Sequence, residues 1–246
     1  MLVALDERDA EVCAWDAVPR REYRCPGCSE RLSLRRGELR VEHFAHHPGA
    51  ECALAESESP EHRRAKRTVG AVFGGLDVRY EVYFDAIERR ADVLLAGTVV
   101  VECQLSAMSA EEWEGRTRDY NRLGYPVLWV WGLSRLGAPR YNSDYSPPRK
   151  MYRVSEALRR CHHMLYGRVV LLDGGELLSA HLEPAQRYVE ESRWYSPEGE
   201  ERSTGGYLKY LKSKLLSTNP VGSKIRVKDS PEGHLLAHLD DAAWWR

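Results

Sequence analysis

No uninterrupted apolar run in this 246-residue chain approaches the roughly 18–20 residues that a membrane-spanning helix needs. Net charge is nearly absent too. The 36 Lys and Arg against 37 Asp and Glu leave −1, so there is no overall basic signature for nucleic acid. The opening residues MLVALDERDAEV hold no basic segment leading into an apolar one, so no secretory signal is expected and a reducing cytoplasm is the expected setting. Six cysteines in that setting do not make a disulfide framework. Internal repeats and long low-complexity tracts are missing as well. What is present excludes disorder: 43% of residues are hydrophobic, and seven Trp and thirteen Tyr are available for a core. The length allows one large domain or two small ones.

Residues 1–20 read as a hairpin, with LVAL and VCAW on either side of a charged turn. Ser59 is a good N-cap and Pro60 suits the first helical position, which predicts a helix from about Pro60 to Phe73 closed by Gly74 and Gly75. Three strand-like runs follow, at 78–84, 90–96 and 99–105, the last two joined by a tight turn around Gly97. Ser109 and Glu112 form a capping box opening a helix to about Leu123, where Gly124 stops it. Residues 125–131, YPVLWVW, have the pattern of a buried strand. The order is helix, strand, strand, strand, helix, strand. Residues 134–150 read as a loop, 154–165 as a further helix and 168–173 as a strand, with polar segments beyond.

Two cysteines sit as Cys25-Pro-Gly-Cys28, and His43-Phe-Ala-His46-His47 follows. Zinc takes four soft or borderline ligands in a tetrahedron, and a CxxC turn supplies two thiolates from one loop. The expected set is Cys25, Cys28, His43 and His46, with His47 and Cys52 as alternatives for the fourth place. Four protein ligands leave no open position, so the Zn²⁺ role is structural. The competing reading is a reduced CxxC with surface histidines.

The central run RADVLLAGTVVVECQ carries a second cluster. If the loop is the three residues 96–98, Leu95 pairs with Val99 and Asp92 lies opposite Glu102, whereas a two-residue loop would break this register. Opposed side chains have Cβ atoms about 4.5–5.5 Å apart. Two carboxylates that close repel unless protonated or shared by a cation, and Mg²⁺ is a hard ion that takes such oxygens. On the first helix, Glu61 lies in line with Ala65, Val69 and Val72, while His62 and Lys66 stand one turn apart. On the second helix Glu112, Arg116 and Tyr120 are spaced to share a face. The alternatives are a solvated edge paired to Arg89 and Arg90 for Asp92 and Glu102, a favourable helix-end charge for Glu61, solvated side chains for His62 and Lys66, and a stabilising helix pair for Glu112 and Arg116.

In chain order, YRCPGC, EHFAH, ESPEHRRAK, RADVLL, VECQLSAMS, RTRDY and VLWVW resemble the competence protein CoiA-like family over about residues 1–135. That family is similar to the PD-(D/E)xK nuclease superfamily, whose core has the element order read above. The resemblance implies an α/β (mixed α+β) fold with a restriction-endonuclease-like αβββαβ core at 57–135, a zinc module at 1–56 and an additional region at 136–246. It implies a Mg²⁺- or Mn²⁺-dependent deoxyribonuclease acting on DNA in natural transformation or recombination. Asp92 and Glu102, with the Cys103 carbonyl, would hold the metal; Gln104, standing where the superfamily has Lys, would orient water; Glu61 and Lys66 would adjoin the site. Gln cannot supply a positive charge. The departure leaves a second expectation open: a degenerate DNA-binding adaptor that hands DNA to recombination proteins. A defence or junction-cleaving nuclease fits the same motifs, and the preference among single-stranded, duplex and branched DNA is not legible.

Residues 202–228 hold seven Lys or Arg and no acid, with Tyr207 and Tyr210 interleaved. This composition suits phosphate contacts and base stacking. The expected DNA-binding residues are Lys209, Lys212, Lys214, Lys224, Arg226 and Lys228, together with His62, Arg116 and Tyr120. Trp244 and Trp245 are expected to dock on a core or partner. The net charge therefore averages over unlike segments: residues 20–40 carry +4, residues 41–119 carry −6 and residues 202–228 carry +7.

Overall fold

A computed structural model describes residues 1–37, 40–55, 58–222 and 224–239. Trp244 and Trp245 lie outside the described residues. Two large sheets, one antiparallel and one mixed, organise the molecule. The first is five-stranded, in the order β2-β1-β3-β4-β5, built from β1 (Val3–Leu5), β2 (Glu11–Cys13), β3 (Tyr23–Arg24), β4 (Arg31–Gly37) and β5 (Arg40–Ala45). The expected hairpin is there, with Val3 opposite Cys13. Tyr23, Leu32 and Phe44 close a small core beneath it.

Helix α1 (Pro60–Val72) starts as read, with the Ser59 hydroxyl accepting the His62 N–H. Strands β6 (Val78–Phe84), β7 (Arg89–Leu95) and β8 (Val99–Gln104) follow, and Leu95 pairs with Val99 across the three-residue turn. Helix α2 (Ala110–Arg122) begins with the Ser109 hydroxyl accepting the Glu112 N–H, and β9 (Val127–Gly132) returns parallel to β8. The helix-strand-strand-strand-helix-strand order of the mixed α+β fold is thus realised.

The sheet does not stop at β9. Segments β10 (Arg140–Asn142) and β11 (Arg149–Tyr152) lie in the stretch read as a loop, followed by α3 (Glu156–Met164), β12 (Val169–Asp173) and β13 (Glu176–Val189). A small hairpin, β14 (Ser192–Tyr195) and β15 (Glu201–Thr204), caps the long pair of β13 with β16 (Tyr207–Pro220). Then come β17 (Ile225–Asp229) and β18 (Leu235–Leu239). The spatial order is β10-β11-β16-β13-β12-β9-β8-β7-β6, and β18 adds a branch by pairing with Val127 and Leu128 at the start of β9. Parallel pairs β8–β9 and β9–β12 are linked by crossovers through α2 and α3, which cover one face of the sheet, and α1 covers the other.

Each face has its own core. Ala65, Val69 and Phe73 of the α1 region pack on Val93, Leu95, Val101 and Val130. On the other face Trp113, Tyr120, Leu158 and Met164 of α2 and α3 pack on Leu94, Val100 and Trp129. Helix α1 approaches β6 closely: a Cβ on Gly70 would come within 1.6 Å of the Tyr80 hydroxyl. Any larger residue there would have to push the Tyr80 ring aside.

Candidate metal centre and acidic cluster

The knuckle at Cys25 to Cys28 is shaped by its own backbone. Ser29 N–H donates to the Cys25 carbonyl at 2.9 Å, and Ser29 takes a φ of 61° to complete the turn. Four side chains converge: Cys25, Cys28, His46 and Cys52. Cys25 Sγ lies 3.8 Å from Cys52 Sγ, and Cys28 Sγ lies 3.4 Å from His46 Nε2. A tetrahedron of bonds about 2.3 Å long has edges of about 3.8 Å, so the separations match a zinc-sized centre. The Gly27 and Leu54 N–H groups donate to the Cys25 and Cys52 sulfurs at 3.3 Å each. Burial pushes the Cys25 thiol up to about 12. At Cys52 burial acts the same way, but the Leu54 N–H and the neighbouring thiols draw it below its ordinary value. This Cys/His cluster could hold a metal, and its donor set is that of a structural zinc site. His43 is not in the group. It sits on β5 opposite Arg35, with its Nδ1 2.9 Å from the Val41 carbonyl, and Cys52 takes the fourth place.

The acidic cluster differs from the pair expected. The β7–β8 register does lead to Asp92 opposite Glu102, one step beyond Val93–Val101. On its other side Asp92 falls opposite Glu81, between the pairs Tyr80–Val93 and Val82–Ala91. Three carboxylates therefore lie in a row across β6, β7 and β8. Strand alternation breaks at this row: Ala91 and Leu94 pack on the α2 side, Val93 and Leu95 on the α1 side, and Glu81 has a φ of 56°. The carboxylates consequently turn to different helices.

Asp92 turns to α1. Its Oδ2 is 2.9 Å from His62 Nε2 and accepts the Cys103 N–H at 2.8 Å, while Oδ1 is 3.3 Å from Lys66 Nζ. Lys66 Nζ also meets Glu81 Oε1 at 3.0 Å and Glu58 Oε1 at 2.5 Å. It is neither solvated nor free to meet a phosphate: its side chain is 1% exposed. Like charges directly opposed across strands destabilise a sheet. The cation shared by Glu81 and Asp92 is this ammonium. Burial alone would raise Asp92, but Lys66 and His62 hold it well below the usual carboxylate range. Burial would lower His62, yet the Asp92 carboxylate more than offsets it and raises the imidazole.

Glu102 turns to α2. Arg116 Nη2 donates to Oε2 at 2.7 Å and the Tyr120 hydroxyl donates to Oε1 at 2.6 Å. Burial, opposed by Arg116 and reinforced by Asp92, pushes Glu102 up to about 6. Tyr120 is fully buried in the core, so it presents no ring for stacking. Gln104 points its Nε2 at the Ser106 carbonyl and hydroxyl, at 2.8 and 3.0 Å. Glu61 is not on a buried stripe. Its side chain is 44% exposed and held by the Ser134 hydroxyl at 3.0 Å and Arg135 at 3.2 Å, while Val72 is exposed too.

Two residues of the cluster, Glu58 and Glu81, are not singled out in the sequence. Glu58, Asp92 and His62 bring ligand atoms within 4.8 Å of one another. Glu58 Oε2 is buried with no hydrogen-bond partner. Glu58 precedes the Ser59 cap, outside the helix that carries His62 and Lys66, so helical spacing gives no signal for it. The basic run at 202–228 is divided between strands. Lys209, Lys212 and Lys214 are on β16, Arg226 and Lys228 are on β17, and Lys224 lies between them. These two strands are not neighbours in the sheet.

Residues 9–55 match the model of the competence protein CoiA N-terminal domain, and residues 58–155 that of the competence protein CoiA nuclease-like domain. The chain belongs to the competence protein CoiA-like family. Competence protein CoiA of Bacillus subtilis (strain 168) is 30% identical over 125 residues, which is 48% of this chain. The matched stretch spans 34% of that relative, about a third of its length. No solved structure matches the chain. The CoiA nuclease-like domain begins at Glu58 and contains every residue of the acidic cluster. Among the described residues no helix is long and apolar enough to cross a membrane.

Proposed function

We propose that this CoiA-like chain is a metal-dependent DNA nuclease, hydrolysing phosphodiester bonds in natural transformation or recombination. The observation that carries this reading is the buried, unpartnered Glu58 oxygen beside His62 and Asp92. Three carboxylates and one ammonium leave about two negative charges in the cluster once His62 gives up its proton to bind, the complement of one divalent cation. Glu58, His62 and Asp92 would hold Mg²⁺ or Mn²⁺. Such an ion, when bound, polarises the scissile phosphate and makes a coordinated water more acidic. Lys66 keeps Asp92 ionised and fixed. Gln104, anchored through Nε2 on Ser106, offers its Oε1 to a water and orients it. Arg116 neutralises phosphate charge from the α2 side; its Nε has no hydrogen-bond partner. Cys25, Cys28, His46 and Cys52 hold Zn²⁺ in a structural role.

A second reading has its own observation. Gln104 stands in the superfamily's lysine position, and Glu102 is already satisfied by Arg116 and Tyr120. That suits an adaptor that binds DNA and passes it to recombination proteins. Purified chain incubated with single-stranded, duplex and branched DNA, with and without Mg²⁺ or Mn²⁺, separates the two. Metal-dependent products that vanish in Asp92→Ala support the nuclease. Binding without products supports the adaptor, and undiminished cleavage by Asp92→Ala overturns the site.

A further inference from the structure

Three cations stand unanswered at the far edge of the large sheet. Arg140 of β10, Arg153 just beyond β11 and Lys212 of β16 line a cavity of about 400 Å³ with Met151, Ser213 and Leu136. The ladder brings them together. Arg140 lies opposite Met151, and Met151 lies opposite Leu215. Opposed residues, and residues two apart on a strand, share a face. Arg140, Met151 and Ser213 therefore line one face, and Arg153, two residues past Met151, continues it. Lys212 enters from a bulge, where the β13–β16 register jumps from Pro184–Lys214 to Gln186–Tyr210. Met151 gives the cavity an apolar wall, fixed from behind by its packing with buried Leu215 and Ala185.

No Asp or Glu lines this cavity, and none of its three cations pairs with a carboxylate among the described residues. Arg149, on the same strand as Met151, shows the contrast. Its guanidinium forks onto Glu183 at 2.9 and 3.1 Å. Like charges gathered in a concave pocket raise the local concentration of anions, and arginine forks match the geometry of phosphate oxygens. The cavity's place is also informative. Leu136 ends the short helix Leu133–Leu136, whose Ser134 and Arg135 hold Glu61 in the first turn of α1, beside His62. The cavity and the first turn of α1, which carries His62, therefore both meet the same four-residue helix. Lys212 lies beyond residue 155, where the family match ends, so the cavity needs the added strands.

We infer that this cavity seats a backbone phosphate of a nucleic-acid strand that crosses the helix Leu133–Leu136 toward the acidic cluster. The strand's destination rests on the nuclease reading; the phosphate seat itself rests on the three cations. The test is anisotropy of a labelled single-stranded oligonucleotide on the full chain, without added divalent metal, between about 50 and 200 mM salt. The triple variant Arg140→Ala, Arg153→Ala, Lys212→Ala is expected to bind about tenfold more weakly, with a salt slope shallower by about 0.7 for each phosphate no longer neutralised. Lys212→Glu alone is expected to weaken binding in the same direction. All three side chains are exposed, and unchanged circular dichroism certifies the fold. Wild-type affinity and slope in the triple variant, while the wild type binds, overturn the cavity and leave the nuclease reading standing. A wild type that binds no strand overturns the phosphate seat, while the nuclease reading stands or falls on the metal-dependent cleavage assay. A parallel arm titrates inorganic pyrophosphate against thermal stability. Stabilisation of the wild type alone, with strand affinity equal in both proteins, makes this a small-anion pocket and overturns the assignment to nucleic acid.

Discussion

Lys66 and Glu58 make opposite contributions at one point. Among the described residues, Lys66 is the only ammonium touching Glu58, Glu81 and Asp92, all on buried side chains. Removing one partner of a buried ionic group costs about 3–5 kcal/mol, because the others lose their counter-charge. Lys66→Met is therefore expected to lower the urea unfolding free energy by about that amount. Glu58→Gln removes an excess negative charge and should leave metal-free stability unchanged or higher, while weakening Mn²⁺ binding in calorimetry by about tenfold or more. A Glu58→Gln protein that binds Mn²⁺ as the wild type does would remove Glu58 from the ligand set. The sequence made Asp92, Glu102, His62 and Lys66 visible because charged residues interrupt apolar runs. It hid Glu58, which precedes the Ser59 cap and so lies outside the helix. It also hid Glu81, whose alternating strand VRYEVYF reads as a solvent-facing charge until the positive φ turns it inward.

The elements that were legible carried local signals: caps at Ser59 and Ser109, glycine stops, and tightly apolar β8 and β9. The 14-residue β13 and β16 carried none. Their far halves are exposed, Pro184 sits in one and a bulge lies in the pair, so neither hydrophobic period is sustained. Helix α3 is joined to this hairpin by His162, whose Nε2 accepts the Leu182 N–H at 3.0 Å and lies 3.3 Å from His181 Nδ1. Burial, then the nearby His181, lowers His162 from 6.5 to about 4. A base with a depressed folded pKa stabilises the fold above its unfolded value and loses that contribution as pH falls toward the folded one. The docking of α3 is thus at full strength above about 6.5 and fades toward about 4. Urea midpoints at neutral pH and near pH 4.5 should diverge more in the wild type than in His162→Gln. Equal divergence would show that His162 does not titrate with folding.

At the scale of the whole molecule, the zinc-type module and the nuclease-like core are joined through the site. The Leu2 N–H donates to Glu81 Oε2 at 2.7 Å, the carboxylate whose other oxygen meets Lys66. Trp15 packs edge-on against Tyr80, and Arg67 of α1 pairs with Glu42 of β5. Because metal binding by such a module is also folding free energy, stripping zinc should loosen Glu81 as well as the knuckle. Cys52→Ser is expected to lose bound zinc in elemental analysis and to melt at lower temperature. His43→Gln should keep one equivalent. The reverse result would restore His43 as the ligand. The near-zero net charge of the chain belongs to the same arrangement: an acidic centre between basic flanks, one of which the fold splits over β16 and β17.

The branch of the sheet at β9 has a consequence for the order in which the protein is made. The start of β9 is covered by β18, more than a hundred residues later, and Asn121 secures that strand by accepting the Leu235 N–H and donating to its carbonyl, both at 2.9 Å. Until Leu235 leaves the ribosome, Val127 and Leu128 present an open, apolar strand edge. Such edges recruit other strands. A nascent chain that has finished its CoiA-like nuclease region at residue 155 is therefore still sticky, and would need shelter during the synthesis of the roughly eighty residues up to Leu235.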